Sequence, residues 1–594
     1  MTGNKTALKR IFAVYCVTLG FAGLTGCASV SSASAEALLI RDADIFDVTD
    51  GSVQEADVLI LDGRFSAVED TITKYPSGTR IIEANGLALL PGLIDVHTHW
   101  TGMNGADRAS IASDLLKAGV TTATDFHSAP ESFESKRAYH KTIQSPHVFY
   151  AARIGVPYGH GTEWGDEHIT KVIFSAREGQ AAVESLLPYK PDAIKVFADG
   201  WRYGGVVNLT SINEDALEAV VDTASAAGLP VFSHTVTVEG GKIAAEGGVT
   251  AIVHAIQDAD ADEELVSLMQ EHNVLYSPTL TVYEPFEHEL AEMSKVAAAM
   301  VLYRQERSRA NMRTFLDAGI RVALGTDQGI DNNPFGEADL RELELMVDFG
   351  LTPAEALQAA TRNSAAVLKL EDDRGSIEVG KRADFILVDG RPWDSISDIR
   401  NVKHVFVDGV QVVADGQMTK PQDSGRPSAT PAQAAIDDFE SDDLTTKYGA
   451  RRFKTYDGGL PRSEVMLGRV ERVGGGKALH MSATMALKDD PFAFATLPLS
   501  PGEFVPVDAS AFTGVRFEAR GSDTYDIILS STSGEGEHSF VAGPEWKTVE
   551  FSFASLKGEG GAPLDVSELL DVSFGMHAQA DQSVWLEIDN VEFY

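Results

Sequence analysis

Two histidines one residue apart, His97 and His99, stand in the run PGLIDVHTH. A β-strand places residues i and i+2 on one face, so both imidazoles point the same way. Neutral imidazole is a good ligand for zinc and similar metals. The H-x-H tripeptide alone is a weak signal, because a strand with two surface histidines looks the same. Three further residues change its weight. His234 closes the apolar run LPVFSH, His254 closes AIVH, and Asp327 closes VALGTD. Four histidines and a carboxylate at the ends of apolar runs, in a chain of 15 histidines, point to a metal site rather than to scattered core or rim histidines.

The elements needed to bring these ends together are legible. From Pro91 to about Leu370, strand-like runs (TTATDF, VFYAAR, AIKVFA, PVFSH, AIVHA, VLYSPTL, RVALGTD) alternate with amphipathic segments. In EDALEAVVDTASAAG, Leu217, Val220, Val221 and Ala224 follow helical spacing. Thr352-Pro353-Ala354-Glu355 reads as a capping box with proline at the first helical position. Repeated strand–helix alternation implies parallel βα units, so residues 91–370 are expected to form a (β/α)8 TIM barrel of α/β class. Barrel enzymes keep their chemistry at the C-terminal ends of the strands, where all five residues fall. Residues 38–90 and 371–418 read as short strands and are expected to build one composite β-sandwich from the two flanks. Residues 419–434 read as a linker, and 435–594 as an all-β jelly-roll domain.

Composition narrows the function. A chain of 594 residues exceeds one compact core. Its 44% hydrophobic and 23% charged content is that of folded globular protein. A net charge of -39 argues against nucleic acid as a partner. The two cysteines, Cys16 and Cys27, fall in an N-terminal segment that reads as a targeting signal, so a thiolate zinc site is not expected in the body of the chain. Lys5, Lys9 and Arg10 precede the apolar stretch 11–24. That stretch is short for a membrane span and reads as a signal h-region. Leu24-Thr25-Gly26-Cys27 resembles the lipobox of bacterial lipoproteins, which implies cleavage before Cys27 and lipidation of its thiol; cleavage after Ala33-Ser34-Ala35 is the rival. Either implies export, to the periplasm or outer membrane of a bacterial cell envelope.

The runs PGLIDVHTH, LLKAGVTTATD, VFSH, IVHA, GTD, LTPAEALQAATRNSAAVL and GSIEVGKRADFILVDGRPW resemble the amidohydrolase superfamily, most of all its imidazolonepropionase- and prolidase-related branch, over about residues 38–415. The resemblance implies metal ligands at His97, His99, His234, His254 and Asp327, holding one or two divalent ions, zinc foremost. It also implies that Lys195, at the end of the fourth strand, is carboxylated and bridges two metals; the alternative is a lysine paired with Asp199 or Asp192. His160, in a Gly-His-Gly run, is carried over as a substrate or transition-state contact. Arg202 and Tyr203 follow the fourth strand and could bind a substrate carbonyl or carboxylate. The run ADGWRYGG after Lys195 departs from the family's small-residue pattern, which bears on the substrate pocket more than on the metal site.

The implied mechanism is attack of a metal-activated water on a carbonyl. Asp327 acts as base and then acid, and His254 and His160 help to stabilise the oxyanion. The expected substrate is small: a dipeptide, an N-acyl amino acid or a cyclic amide. Ester or lactone hydrolysis would use the same parts. A different class of reading is a cell-envelope glycan-binding protein with an idle barrel. The C-terminal region resembles galactose-binding-like domains, which implies Glu440 and Asp589 as candidate ligands of a structural calcium and Trp585 as a candidate carbohydrate contact. Self-association as a homo-oligomer is left open.

Overall fold

The computed structural model describes residues 37–100, 107–162, 168–199, 210–330, 332–422, 426–459, 461–556 and 563–594. Cys27, Arg202 and Tyr203 lie outside the described residues. Among the described residues no helix is long and apolar enough to cross a membrane.

Seven strands form the staves of a parallel barrel: Leu93–Thr98, Val120–Asp125, His147–Gly155, Ala193–Phe197, Val231–His234, Ala251–Val253 and Leu275–Ser277. The eighth stave is an extended segment at residues 321–328, held by isolated bridges Tyr276↔Val322 and Thr98↔Gln328. Backbone bonds join it to both neighbours, from Ala323 N–H to the Tyr276 carbonyl (2.9 Å) and from Val96 N–H to the Leu324 carbonyl (3.0 Å). Gly325 is what lets it pack so close. A Cβ at that position would lie 2.3 Å from Ser277 Oγ and 3.1 Å from the Cβ of His97.

The helices around the barrel follow from their sequences. Glu214–Ala226 buries Leu217, Val220, Val221 and Ala224, and the Asn213 side chain caps its first turn by accepting the Ala216 N–H. Thr352 and Glu355 form the expected reciprocal capping box, with Pro353 opening the helix. The flanks 38–90 and 371–418 meet in one nine-stranded sheet, joined where Ala88–Pro91 pairs antiparallel with Phe385–Val388. The sheet curls back on itself: Phe65 N–H bonds to the Lys381 carbonyl, and Ile40, Val58, Ile60, Phe385 and Phe406 fill the space enclosed.

The C-terminal region is two β-sheets around an apolar core containing Phe517, Tyr525, Phe540 and Phe574. Strand Ser583–Phe593 turns Val584, Leu586 and Ile588 into that core, as its alternation requires. Its other face is not a simply solvated one: Glu587 and Asp589 are buried and paired with Arg520 and Arg472. The stretch expected to be a linker is partly built into the fold. Thr430–Pro431 pairs with Val507–Asp508, and Gln422 and Thr419 bond to Gln144 of the barrel. A polar composition reads as a linker, yet the same side chains satisfy backbone groups at a module boundary.

Asp571, buried in this region, has its carboxyl pushed up to about 6, by burial first and by the nearby Glu535 second, against bonds from Ser530 and Ser573. The folded chain therefore keeps this proton to a higher pH than the unfolded chain, which loses it near pH 4. The contribution of this group to stability falls as pH rises from about 4 to about 6 and levels off above that window. Asp571→Asn, which keeps the oxygen bonded by Ser573, is expected to remove on the order of 1–3 kcal/mol of that fall. Thermal melts of both proteins across the window read the effect, and parallel curves would refute it.

Candidate metal centre

The barrel brings the five strand-end residues to one mouth. His97 and His99 leave the first stave with their Nε2 atoms 3.2 Å apart. Both converge on Asp327 Oδ1, at 3.2 Å from His97 and 2.7 Å from His99. His254 completes a group with His97 and Asp327 whose candidate ligand atoms all lie within 4.8 Å of one another. The His254 ring lies 4.4 Å from that of His234, tilted by 60°, and the His234 ring lies 3.9 Å from that of His160. Lys195 belongs to the same cluster, since its charge is felt by His97, His234 and His254.

Three backbone positions at this mouth are unusual. His254 (φ 83), Thr279 (φ 48) and Asp327 (φ 58) are non-glycine residues in left-handed conformation at the ends of the sixth, seventh and eighth staves. Such conformations persist where surrounding structure enforces them, and they cluster at functional sites. Here they turn the side chains off the strand direction and into the mouth. Thr279 Oγ1 lies 2.9 Å from His254 Nδ1, which commits that nitrogen and leaves Nε2 for a metal. No feature of the sequence marks Thr279 for this task.

The fit to a metal is tested by the buried polar atoms. His97 Nδ1, His234 Nε2 and Lys195 Nζ are buried and have no hydrogen-bond partner among the described residues. An unpartnered buried polar atom is costly, and several facing one another mark a place where something else binds. Burial keeps the imidazoles of His97, His234 and His254 far below their ordinary pKa, in the neutral form a metal requires. The two acids weighed as partners for Lys195 are engaged elsewhere. Asp192 pairs with Arg137 at 2.6 Å, and Asp199 accepts the N–H groups of Val236 and Thr237. Lys195 Nζ instead lies 5.0 Å from the Phe126 ring centroid.

His160 sits beside this cluster, edge-on to Phe197 at 5.4 Å. The glycine after it is forced: at φ +86, a Cβ on Gly161 would lie 2.3 Å from the Phe197 ring. The calcium pair fares differently. Asp589 is bound by Arg472, and Glu440 accepts the Lys477 N–H at 2.8 Å; neither joins a metal-ligand group among the described residues.

Behind the ligands lies a layer that sequence reasoning did not identify. Asp95 Oδ1 accepts the His97 N–H (2.8 Å), while its Oδ2 accepts from Thr326 Oγ1 (2.6 Å) and Gln328 Nε2 (2.7 Å). It thereby ties the first stave to the eighth directly under the ligands. Asp95 shares its strand face with His97 and His99, and that i, i+2, i+4 spacing is the signal that could have found it.

The chain was compared with known proteins. The sequence profile of the amidohydrolase family matches residues 88–412. An imidazolonepropionase from Geobacillus is 25% identical over 381 residues, covering 57% of this chain and 84% of that protein. An Aspergillus niger ochratoxinase is 26% identical over 373 residues, covering 54% and 75%. Among solved structures, a Xaa-Pro dipeptidase with bound methionine in the active site superposes with TM-score 0.55 at 24% identity, over 63% of this chain and 99% of that one. The structure of Aspergillus niger ochratoxinase gives 0.56 at 23% identity, over 64% and 97%. At these identities the structural likeness is one of fold.

Proposed function

The chain belongs to the amidohydrolase family over residues 88–412, and from that premise we propose that it hydrolyses a C–N bond of a small substrate with water activated at a centre held by His97, His99, Lys195, His234, His254 and Asp327. One observation carries the reading: two imidazoles converge on Asp327 Oδ1 at 3.2 and 2.7 Å, beside buried nitrogens of His97, His234 and Lys195 that have no partner among the described residues. One or two divalent ions held there, zinc foremost for imidazole and carboxylate donors, would supply a water of lowered pKa and Lewis acidity toward the scissile carbonyl.

The side chains divide the remaining work. Asp327 accepts the proton of the attacking water and returns it to the leaving amine. His160, whose ring lies 3.9 Å from that of His234, stabilises the charge that develops on the carbonyl oxygen. Lys195, carrying a carboxylate on Nζ, offers two oxygens where an amine would offer none. The substrate class is the one expected from the sequence, a cyclic amide, an N-acyl amino acid or a dipeptide, the last being what the similar Xaa-Pro dipeptidase is named for. Read with the sequence around Leu24–Cys27, the enzyme is exported and anchored by lipid at Cys27.

Metal analysis of natively purified protein, combined with a hydrolysis screen over dipeptides, N-acyl amino acids, cyclic amides and lactones, tests the proposal. Bound zinc or a similar ion with turnover of an amide is expected. Turnover confined to lactones would shift the bond to an ester. Protein free of metal would favour the idle barrel.

A further inference from the structure

The metal centre is not the only built space at the barrel mouth. A cavity of about 710 Å³ lies where the segments following the first three staves meet the C-terminal sandwich. The barrel contributes Trp100, Arg108, His127 and Tyr139 to its wall, and the sandwich contributes Arg426 and Phe453, among others. His127 joins the two spaces: it lines the cavity, and its ring lies 5.6 Å from that of His99. The cavity is therefore one side chain away from the metal ligands.

The sandwich is fixed to this mouth by contacts that reach the catalytic strands. Asp125 accepts the N–H groups of His127 (2.8 Å) and Trp100 (3.2 Å). Its charge is balanced by Arg108 at 3.6 Å, and through Ser128 by Lys136. Phe504 of the sandwich lies over both cations, 5.4 Å from Arg108 and 5.6 Å from Lys136. His168 stacks on Phe453 at 4.4 Å, and Arg462 bonds to the Thr162 carbonyl at 2.7 Å. Such contacts hold a wall in place; a tethered accessory module would not require them.

The lining chemistry selects an occupant. Of its acids, Glu131 pairs with Arg451 at 2.9 Å and Asp107 caps a helix by accepting the Ser110 N–H, while burial first and the neighbouring Asp571 second push the carboxyl of Glu503 well above the usual carboxylate range, toward its neutral form. Its cations are less engaged. Arg426 donates to the Thr532 carbonyl and has no carboxylate at ion-pair distance among the described residues. Arg108 Nη1 has no hydrogen-bond partner among the described residues. The rings of Trp100, Tyr139 and Phe453 line the same cavity. Guanidinium with aromatic walls suits a carboxylate on an apolar arm.

We propose that this cavity is a second compartment of the substrate site, receiving a carboxylate-terminated arm that runs from the scissile bond past His127 and is read by Arg108 and Arg426. The proposal rests on the hydrolytic reading of the metal centre for the identity of the ligand as substrate. It makes the sandwich a determinant of specificity.

A matched pair of compounds tests it: the C-terminal amides N-glutaryl-L-phenylalaninamide and N-pentanoyl-L-phenylalaninamide, which differ only in a terminal carboxylate against a methyl and carry no other carboxylate. Binding is measured calorimetrically in the full-length Asp327→Asn protein, so that affinity is read without turnover. The glutaryl compound is expected to bind at least ~10-fold more tightly, with the difference shrinking in Arg426→Ala and with added salt. Equal affinities, or binding of neither compound, would overturn the proposal. So would an undiminished preference in Arg426→Ala. The comparison within one protein stands even if that variant folds poorly. Preferential binding of a compound that the unsubstituted enzyme does not hydrolyse would support the compartment while counting against the hydrolytic reading, so the two ideas fail separately.

Discussion

Asp327→Asn is expected to leave a folded protein whose kcat is lower by roughly 10²–10⁴, the range for losing a positioned proton-transfer group. The substitution isolates one property. Asparagine has the size of aspartate and, like it, tolerates left-handed backbone, so φ 58 at this position is not newly strained. An amide oxygen can still face His97 and His99 from the place of Oδ1. What it lacks is a basic oxygen able to take a proton from water. A drop in kcat with KM little changed would locate the loss in the transition state. The control is metal content, because an amide is a weaker ligand than a carboxylate; protein reloaded to the metal content of the unsubstituted enzyme should remain slow. Melting within a few degrees of the parent is expected, because Asp95, Thr326 and Gln328 hold the eighth stave to the first independently of this carboxylate. Turnover within about tenfold of the parent would remove Asp327 from the proton path and leave it a ligand at most.

The barrel and most of the centre were legible because their signals are local. His97 and His99 reveal themselves by strand spacing, and His234, His254 and Asp327 by ending apolar runs that the structure shows to be staves. Thr279 could not be read the same way. Its contact with His254 depends on a left-handed turn, and nothing in SPTL announces one. The eighth stave is legible as RVALGTD but not as an irregular strand, since its departure from a regular ladder comes from Asp327 N–H turning to the His97 carbonyl at 2.8 Å. The largest omission is the place of the C-terminal sandwich. Its alternating strands forecast two buried faces, but Phe504 over Arg108 and Lys136 is a contact between segments almost four hundred residues apart, and side-chain periodicity carries no trace of it. The polar stretch before it reads as a linker for the same reason.

Lys195→Ala should reduce bound metal from roughly two ions per chain to about one and lower activity at least ~100-fold, if the lysine bridges two ions through a carboxylate on Nζ. Lys195 is buried on a stave, with its amine lacking a hydrogen-bond partner among the described residues and lying 5.0 Å from the Phe126 ring centroid and 5.7 Å from that of Phe197. Burial holds its pKa well below that of a free lysine. An isolated buried amine costs several kcal/mol and gives the fold nothing that methionine would not give. Lys195→Met separates the explanations. If the side chain only fills space, Met keeps metal, activity and stability. If the nitrogen is what matters, Met keeps the fold and loses one of the two ions and the activity together. Two readouts lie beyond any packing role. Protein prepared in ¹³C-labelled bicarbonate should show a carbamate carbon resonance that Lys195→Ala lacks. A short carboxylic acid added to the alanine variant should restore part of the activity by occupying the vacated space. Unchanged metal content in Lys195→Ala would take the lysine out of the centre, reducing the site to the imidazoles and Asp327.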